Sequence, residues 1–218
     1  LYEERTVSAH EKKEKRSAKD VVIPLLIGML GVVGVVLAAV FGEGFGTLDV
    51  VLMMVAVAFA AVGFTQGVLR GLMTIPFLYM ATGVAATLYE TTAPYIGAPF
   101  GDFGEAAPPP HIRAISFGVM VLVIWIPLEA VARGFLKDTS FPVLGILDNF
   151  GGVLIYALVG LVVIALIFNA IGFGASWSGS VRQAKLHPPL RSVMRAFYAT
   201  QSFWFPPGQP RIYTAGLR

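Results

Sequence analysis

Few residues in this chain are of a type that could do chemistry. Asp49 and Asp148 each stand at the start of a long apolar run, and Glu129 lies inside one, a helical turn before Arg133. Acid–base work needs two such groups at a fixed distance. Asp49, Asp148 and His111 are the only material for it, and nothing in their spacing sets a distance. Asp148 lies four residues before Gly152, and Tyr156 and Gly160 continue that stripe down one helical face. A carboxylate there can cap free N–H groups at a helix start, meet a partner, or line a polar path through a membrane. Capping and packing is the favoured reading, and Asp49 has the same alternatives. Glu129 reads as the partner of Arg133 rather than as a proton relay. Arg70 reads as an anchor on lipid phosphates, with partner binding as the alternative. Tyr156 caps a packed face or pairs with a carboxylate, although its ring could also hold a pigment, a quinone or a lipid.

The catalytic signatures are missing. There is no phosphate-binding glycine loop, metalloprotease helix or serine elbow. His10, His111 and His187 are far apart, and the chain has no cysteine. No metal, cofactor or enzymatic activity is expected.

The elements that must position these residues are set by composition. Of 218 residues, 56% are hydrophobic and only 13% charged, too little charge for a water-soluble surface. Membrane helices need roughly 20 consecutive apolar residues. Five runs qualify, at about 21–41, 50–67, 71–89, 112–132 and 148–171. The expected fold is all-α, a polytopic membrane bundle of about five transmembrane helices. Residues 1–20 form a polar charged leader and 21–41 an additional N-terminal anchor. Gly28, Gly31 and Gly34 give that anchor one smooth flank for a close neighbour. Asp49 sits where the next helix would be capped. Gly63, Gly67 and Gly71 either let the chain turn or let helices approach, and the turn is preferred. Residues 90–111, with Glu90, Pro94 and Pro108-Pro109-Pro110, read as a loop outside the hydrocarbon.

Residues 172–218 form a basic, aromatic tail. Leu190, Val193, Met194 and Phe197 fall at helical spacing with Arg191 and Arg195 to the sides, as in an amphipathic helix lying on the membrane surface. The aromatics at 203–205 suit a headgroup belt. Because the basic residues flank apolar spans, they speak for lipid headgroups and against nucleic acid. With the N-terminus cytoplasmic, the leader, Arg70, Arg133 and Lys137 place nine Lys and Arg inside, while the tail puts six outside. A re-entrant span would remove that conflict, and the 50–89 hairpin is the first suspect.

Two stretches carry a family resemblance. Asp49, an apolar helix and Gly63-Phe64-Thr65-Gln66-Gly67-Val68-Leu69-Arg70-Gly71 resemble the opening of the colicin V production (CvpA-like) membrane proteins. Pro142-Val143-Leu144-Gly145-Ile146-Leu147-Asp148-Asn149-Phe150-Gly151-Gly152 is similar to the start of that family's last helix. The likeness spans roughly 48–171, a four-helix membrane domain, with the N-terminal anchor as an addition. It implies a protein of the bacterial inner membrane tied to peptide-toxin export and envelope upkeep, and no reaction.

The expected function is therefore that of a non-enzymatic membrane factor acting through membrane protein partners or as a homo-oligomer, in contact with membrane lipids. An accessory subunit of a large bioenergetic or secretion complex is the alternative. A small transporter or channel is a further one.

Overall fold

The computed structural model describes residues 2–101, 103, 107–135, 145–176 and 179–215, with side chains described from Val22 onward except at 133, 135, 145–147 and 180. It is all-α. The long elements are α1 (Tyr2–Phe41), α2 (Thr47–Gly97), α3 (Pro110–Phe135) and α4 (Gly145–Gly174); α5 (Gly179–Arg182), α6 (His187–Gln201) and α7 (Arg211–Thr214) follow. Among the described residues, four helices are long and apolar enough to cross a membrane.

The longest of these, α2, is two limbs. Gly67 breaks it with φ 75° and ψ 174°, a backbone that only glycine adopts without strain. Before the break, Phe59 packs on Gly160 and Gly63 on Gly152 and Tyr156, so this limb runs antiparallel to α4. After it, Gly71 packs on Ile155 and Tyr156, and Ile75 and Tyr79 lie with Leu158 and Val162. The second limb runs parallel to α4, so the chain reverses at Gly67. Of the three glycines, Gly67 makes the turn; Gly63 and Gly71 are helical and serve close approach instead.

The remaining helices follow the same axis. Gly28 and Gly31 of α1 face Ala61 and Val57, which sets α1 antiparallel to the first limb. Gly174 at the end of α4 faces His111 and Ala114 at the start of α3, so these two also run antiparallel. One end of the bundle thus gathers the Gly67 turn, the end of α3 and the start of α4. The other gathers the 42–46 turn, the start of α3, the end of α4 and the tail.

Three expectations need correction. Residues 90–97 are helical, because α2 continues to Gly97 with Pro94 inside it. Tyr89 donates to Glu90 at 3.0 Å and Arg113 lies 3.9 Å from Glu90, so the acid that reads as a loop signal has partners at the bundle end. Helix α1 reaches back to Tyr2, through the polar charged leader, where only short helical turns were expected.

The third concerns the tail. The apolar face of α6 packs on the protein: Leu190 and Met194 are buried in one core with Leu52, Ala85, Phe117 and Phe168, and Val193 and Phe197 pack against it. That core also holds Ile212 and Tyr213 of α7. The Trp204 ring sits over Gly83 and meets Tyr79 edge-on at 5.5 Å, so it packs on the second limb of α2 while remaining partly exposed, and Phe203 beside it is exposed.

Candidate functional site

The stripe Asp148–Gly152–Tyr156–Gly160 is the seam on which both limbs of α2 close. Asp148 Oδ1 accepts the N–H of Val68 at 3.0 Å. Val68 opens the second limb, so its amide has no partner within its own helix. Asp148 therefore caps a helix other than its own. A Cβ on Gly63 would lie 2.6 Å from Gly152 O and 2.7 Å from Tyr156 Cβ, so at this level the two backbones touch. Gly151 faces Val68 on the adjoining side.

One turn further in, three polar groups meet in apolar surroundings. Thr74 Oγ1 lies 3.0 Å from Glu129 Oε2, 3.4 Å from Tyr156 Oη and 3.0 Å from Arg70 O. One hydroxyl proton cannot serve all three. With Tyr156 donating to Thr74, the single Thr74 proton goes either to Glu129 or to Arg70 O, and in the first case the chain ends on the carboxylate. These groups, with Phe59, Val62, Trp125 and Ile126, line a cavity of about 290 Å³. Trp125 Nε1 is buried and has no hydrogen-bond partner among the described residues. The expected Glu129–Arg133 pair falls on a side chain outside the described residues. Arg70 donates to Gln66 Oε1 at 3.0 Å, a helical turn back across the Gly67 break.

Asp49 works at the opposite end of the bundle. It is fully buried and accepts three backbone N–H groups: Gly46 at 3.0 Å, Lys185 at 3.1 Å and Leu186 at 2.9 Å. A buried carboxylate is tolerable when so surrounded by donors. Helix α2 begins at Thr47, so Asp49 sits in its first turn rather than at the cap position. Its reach to Lys185 and Leu186 fastens the start of α6 to the turn between α1 and α2.

Sequence reasoning missed the residues that hold the far part of the tail. Gln201 Nε2 donates to Tyr79 O at 2.9 Å and lies 3.0 Å from Thr82 Oγ1; Tyr213 Oη donates to Thr82 O at 3.1 Å. Asn169 Nδ2 donates to Ile212 O. Burial pushes the Tyr213 phenol well above its usual range, which keeps it a neutral donor. The available signal was Thr82 and Asn169, polar residues inside otherwise apolar runs.

The resulting arrangement is a scaffold of caps and close contacts. Among the described residues, no three His, Cys, Asp or Glu gather where they could hold a metal ion.

Comparison with known proteins gives one family. The model of the colicin V production protein matches residues 48–195. The match begins in the first turn of α2, one residue before Asp49, includes the Gly67 reversal and the Asp148 seam, and continues past α4 into α6. No curated protein matches, and no solved structure does. The matched stretch is well over half the chain, and its apolar helices are long enough to cross a membrane repeatedly. The chain belongs to the colicin V production protein family and is a multi-pass protein of the inner membrane.

Proposed function

We propose that this protein acts through membrane protein partners, or through further copies of itself, in export or envelope maintenance. In this reading it crosses the membrane five times: α1, the two limbs of α2, α3 and α4. The N-terminus, the Gly67 turn and the α3–α4 connection lie in the cytoplasm, and the tail lies on the other side. The extra anchor at 21–41 and the polar stretch before it stand apart from the family domain and present its contacts.

The observation that carries this reading is the exposure of α1. It touches the bundle chiefly through Gly28 and Gly31 on the first limb of α2. Only 6% of its apolar stretch is buried, and Leu30 remains 71% exposed. A helix held on one narrow flank leaves the rest for lipid or a second protein. By contrast, the polar groups inside the bundle sit at separate levels with apolar layers between, which favours a scaffold over a solute path.

Photo-crosslinking from Leu30 and Val33 in intact membranes tests the proposal. A discrete crosslinked protein, or a dimer of this chain, is expected. One stoichiometric complex on gentle solubilisation would favour the accessory-subunit alternative. Crosslinks to lipid alone would overturn the reading. Solute flux in liposomes, lost in Asp148→Asn or Glu129→Gln, would replace it with transport.

A further inference from the structure

Helix α1 marks where the hydrocarbon lies. Its apolar stretch, Val22–Phe41, has 20 residues and is almost bare, so it rises roughly 30 Å, the thickness of a bilayer core. Gly31 stands at its middle and faces Val57 of α2. Two residues on from Val57, Phe59 packs on Gly160, and the antiparallel run of these helices sets Val57 level with Val162. Val162 lines one cavity with Tyr79 and with Phe197 of α6. The far end of α6 therefore lies near the middle of the membrane. Its near end follows Lys185 and Leu186, whose N–H groups bond Asp49, at the level where α1 leaves the hydrocarbon. Helix α6 is re-entrant: it goes in at the Asp49 end and stops about halfway.

The outward face of the tail does not suit lipid at that depth. Ser192, Arg195, Ala196 and Ala199 recur at three- and four-residue steps, and all are exposed. Beyond the helix comes irregular backbone at 205–210, on which Pro206, Pro207 and Gly208 are exposed. That segment is held between Trp204, whose ring lies over Gly83, and Ile212, whose carbonyl accepts Asn169 Nδ2. Asn169 is roughly 10 Å along α4 from Val162, so both anchors lie within the span of the hydrocarbon. Arginine and irregular backbone are held at membrane depth by protein or by water, not by acyl chains. The outward face of α6 has no large apolar side chain to anchor a protein. Phe203 and Trp204 are exposed at its lower end, and such rings favour a boundary between water and lipid.

We propose that the outward face of α6 and the segment after it line a water-filled recess, open at the Asp49 end of the bundle and closed near the middle of the membrane. Its floor is the apolar cluster of Tyr79, Leu158, Val162 and Phe197. The recess hydrates the tail to half the membrane depth and ends there, so it forms no path across. It depends on α1 crossing the membrane and not on what α1 docks against.

The test places one thiol at a time in the full chain, which has no cysteine of its own. The purified chain is reconstituted in sealed liposomes and treated with an impermeant maleimide. The thiolate is the form that reacts, and hydrocarbon disfavours it strongly. Ala196→Cys, Ala199→Cys and Ser202→Cys stand at exposed positions, where so small a change should leave folding intact. Each should react from the face that labels Glu43→Cys, at a rate within roughly tenfold of it. Leu30→Cys, near the middle of α1 and 71% exposed, should react at least roughly a hundredfold more slowly. Protection of Ala196→Cys and Ser202→Cys in liposomes would overturn the recess. If that protection lifts on solubilisation, lipid or a second copy covers the tail in its place. Reaction of Leu30→Cys as fast as the others would also overturn it, because α1 would no longer mark the hydrocarbon.

Discussion

The Asp148 carboxylate accepts the Val68 N–H at 3.0 Å, across 80 residues of sequence. Val68 is the first residue after the reversal at Gly67, so the start of α4 holds the turn of α2. The break at Gly67 leaves that amide without a partner in its own helix. The cap and the reversal therefore depend on each other: without the carboxylate the turn exposes an N–H, and without the turn Asp148 has nothing to cap.

Replacing Asp148 by Ala should destabilise the bundle by about 1–3 kcal/mol, the range for losing a charge-assisted hydrogen bond with a buried partner left behind. Asp148→Asn keeps an acceptor and should recover most of that loss. Thermal unfolding in detergent reads both, and equal losses would argue against the cap.

The glycines divide by what lies above them. Gly63→Ala and Gly152→Ala each drive a methyl into backbone, which a neighbouring side chain cannot relieve by moving. Each should cost about 2 kcal/mol or more and lower the yield of folded protein. Gly34→Ala points into open space and should be neutral or slightly stabilising, since Ala favours a helix interior by about 1 kcal/mol. A similar result at all three positions would refute close packing of the seam.

Asp49 joins two connections with one carboxylate, and its removal should show first as a loosened tail. In Asp49→Ala, three N–H groups lose their acceptor. Limited trypsin digestion should then cut at Lys185 or Arg191 many times faster than in the unaltered protein, while the long helices persist. Unchanged protection of those sites would show that the core contacts of Leu190 and Met194 suffice.

Tyr213 adds a pH dependence. Its phenol is raised in the folded protein by burial, whereas in the unfolded chain it titrates near its ordinary value of about 10. Its contribution is therefore complete below that pH and falls as pH rises beyond it towards the folded value. Tyr213→Phe should cost about 1–2 kcal/mol at neutral pH and flatten the alkaline decline. A decline of the same steepness in the variant would assign it to other groups.

Much of this architecture was legible because hydrophobic length is a local property. The apolar runs that became α1, α3 and α4 are visible from composition, and Gly67 with Asp148 from residue type. Which groups would meet was not legible, since Asp148 and Val68 share no local pattern. The extension of α2 past Tyr89 was hidden by Glu90 and Pro94, which read as terminators until Arg113 and Tyr89 supply the partners. The tail was misplaced for a related reason. A face of Leu190, Val193, Met194 and Phe197 fits lipid or protein equally well. Only the distant pairings of Gln201 with Thr82 and Asn169 with Ile212 decide between them. The Thr74–Glu129–Tyr156 cluster likewise joins three helices that sequence lists far apart.

The reversal at Gly67 carries the five-crossing topology, and labelling from one side of the membrane tests it most directly. The chain has no cysteine of its own, so Glu43→Cys and Phe100→Cys can each be read alone with an impermeant maleimide. Both should react from the same face, because the two limbs of α2 return the chain to the side it left. Reaction from opposite faces would mean that α2 crosses once, and would contradict the reversal.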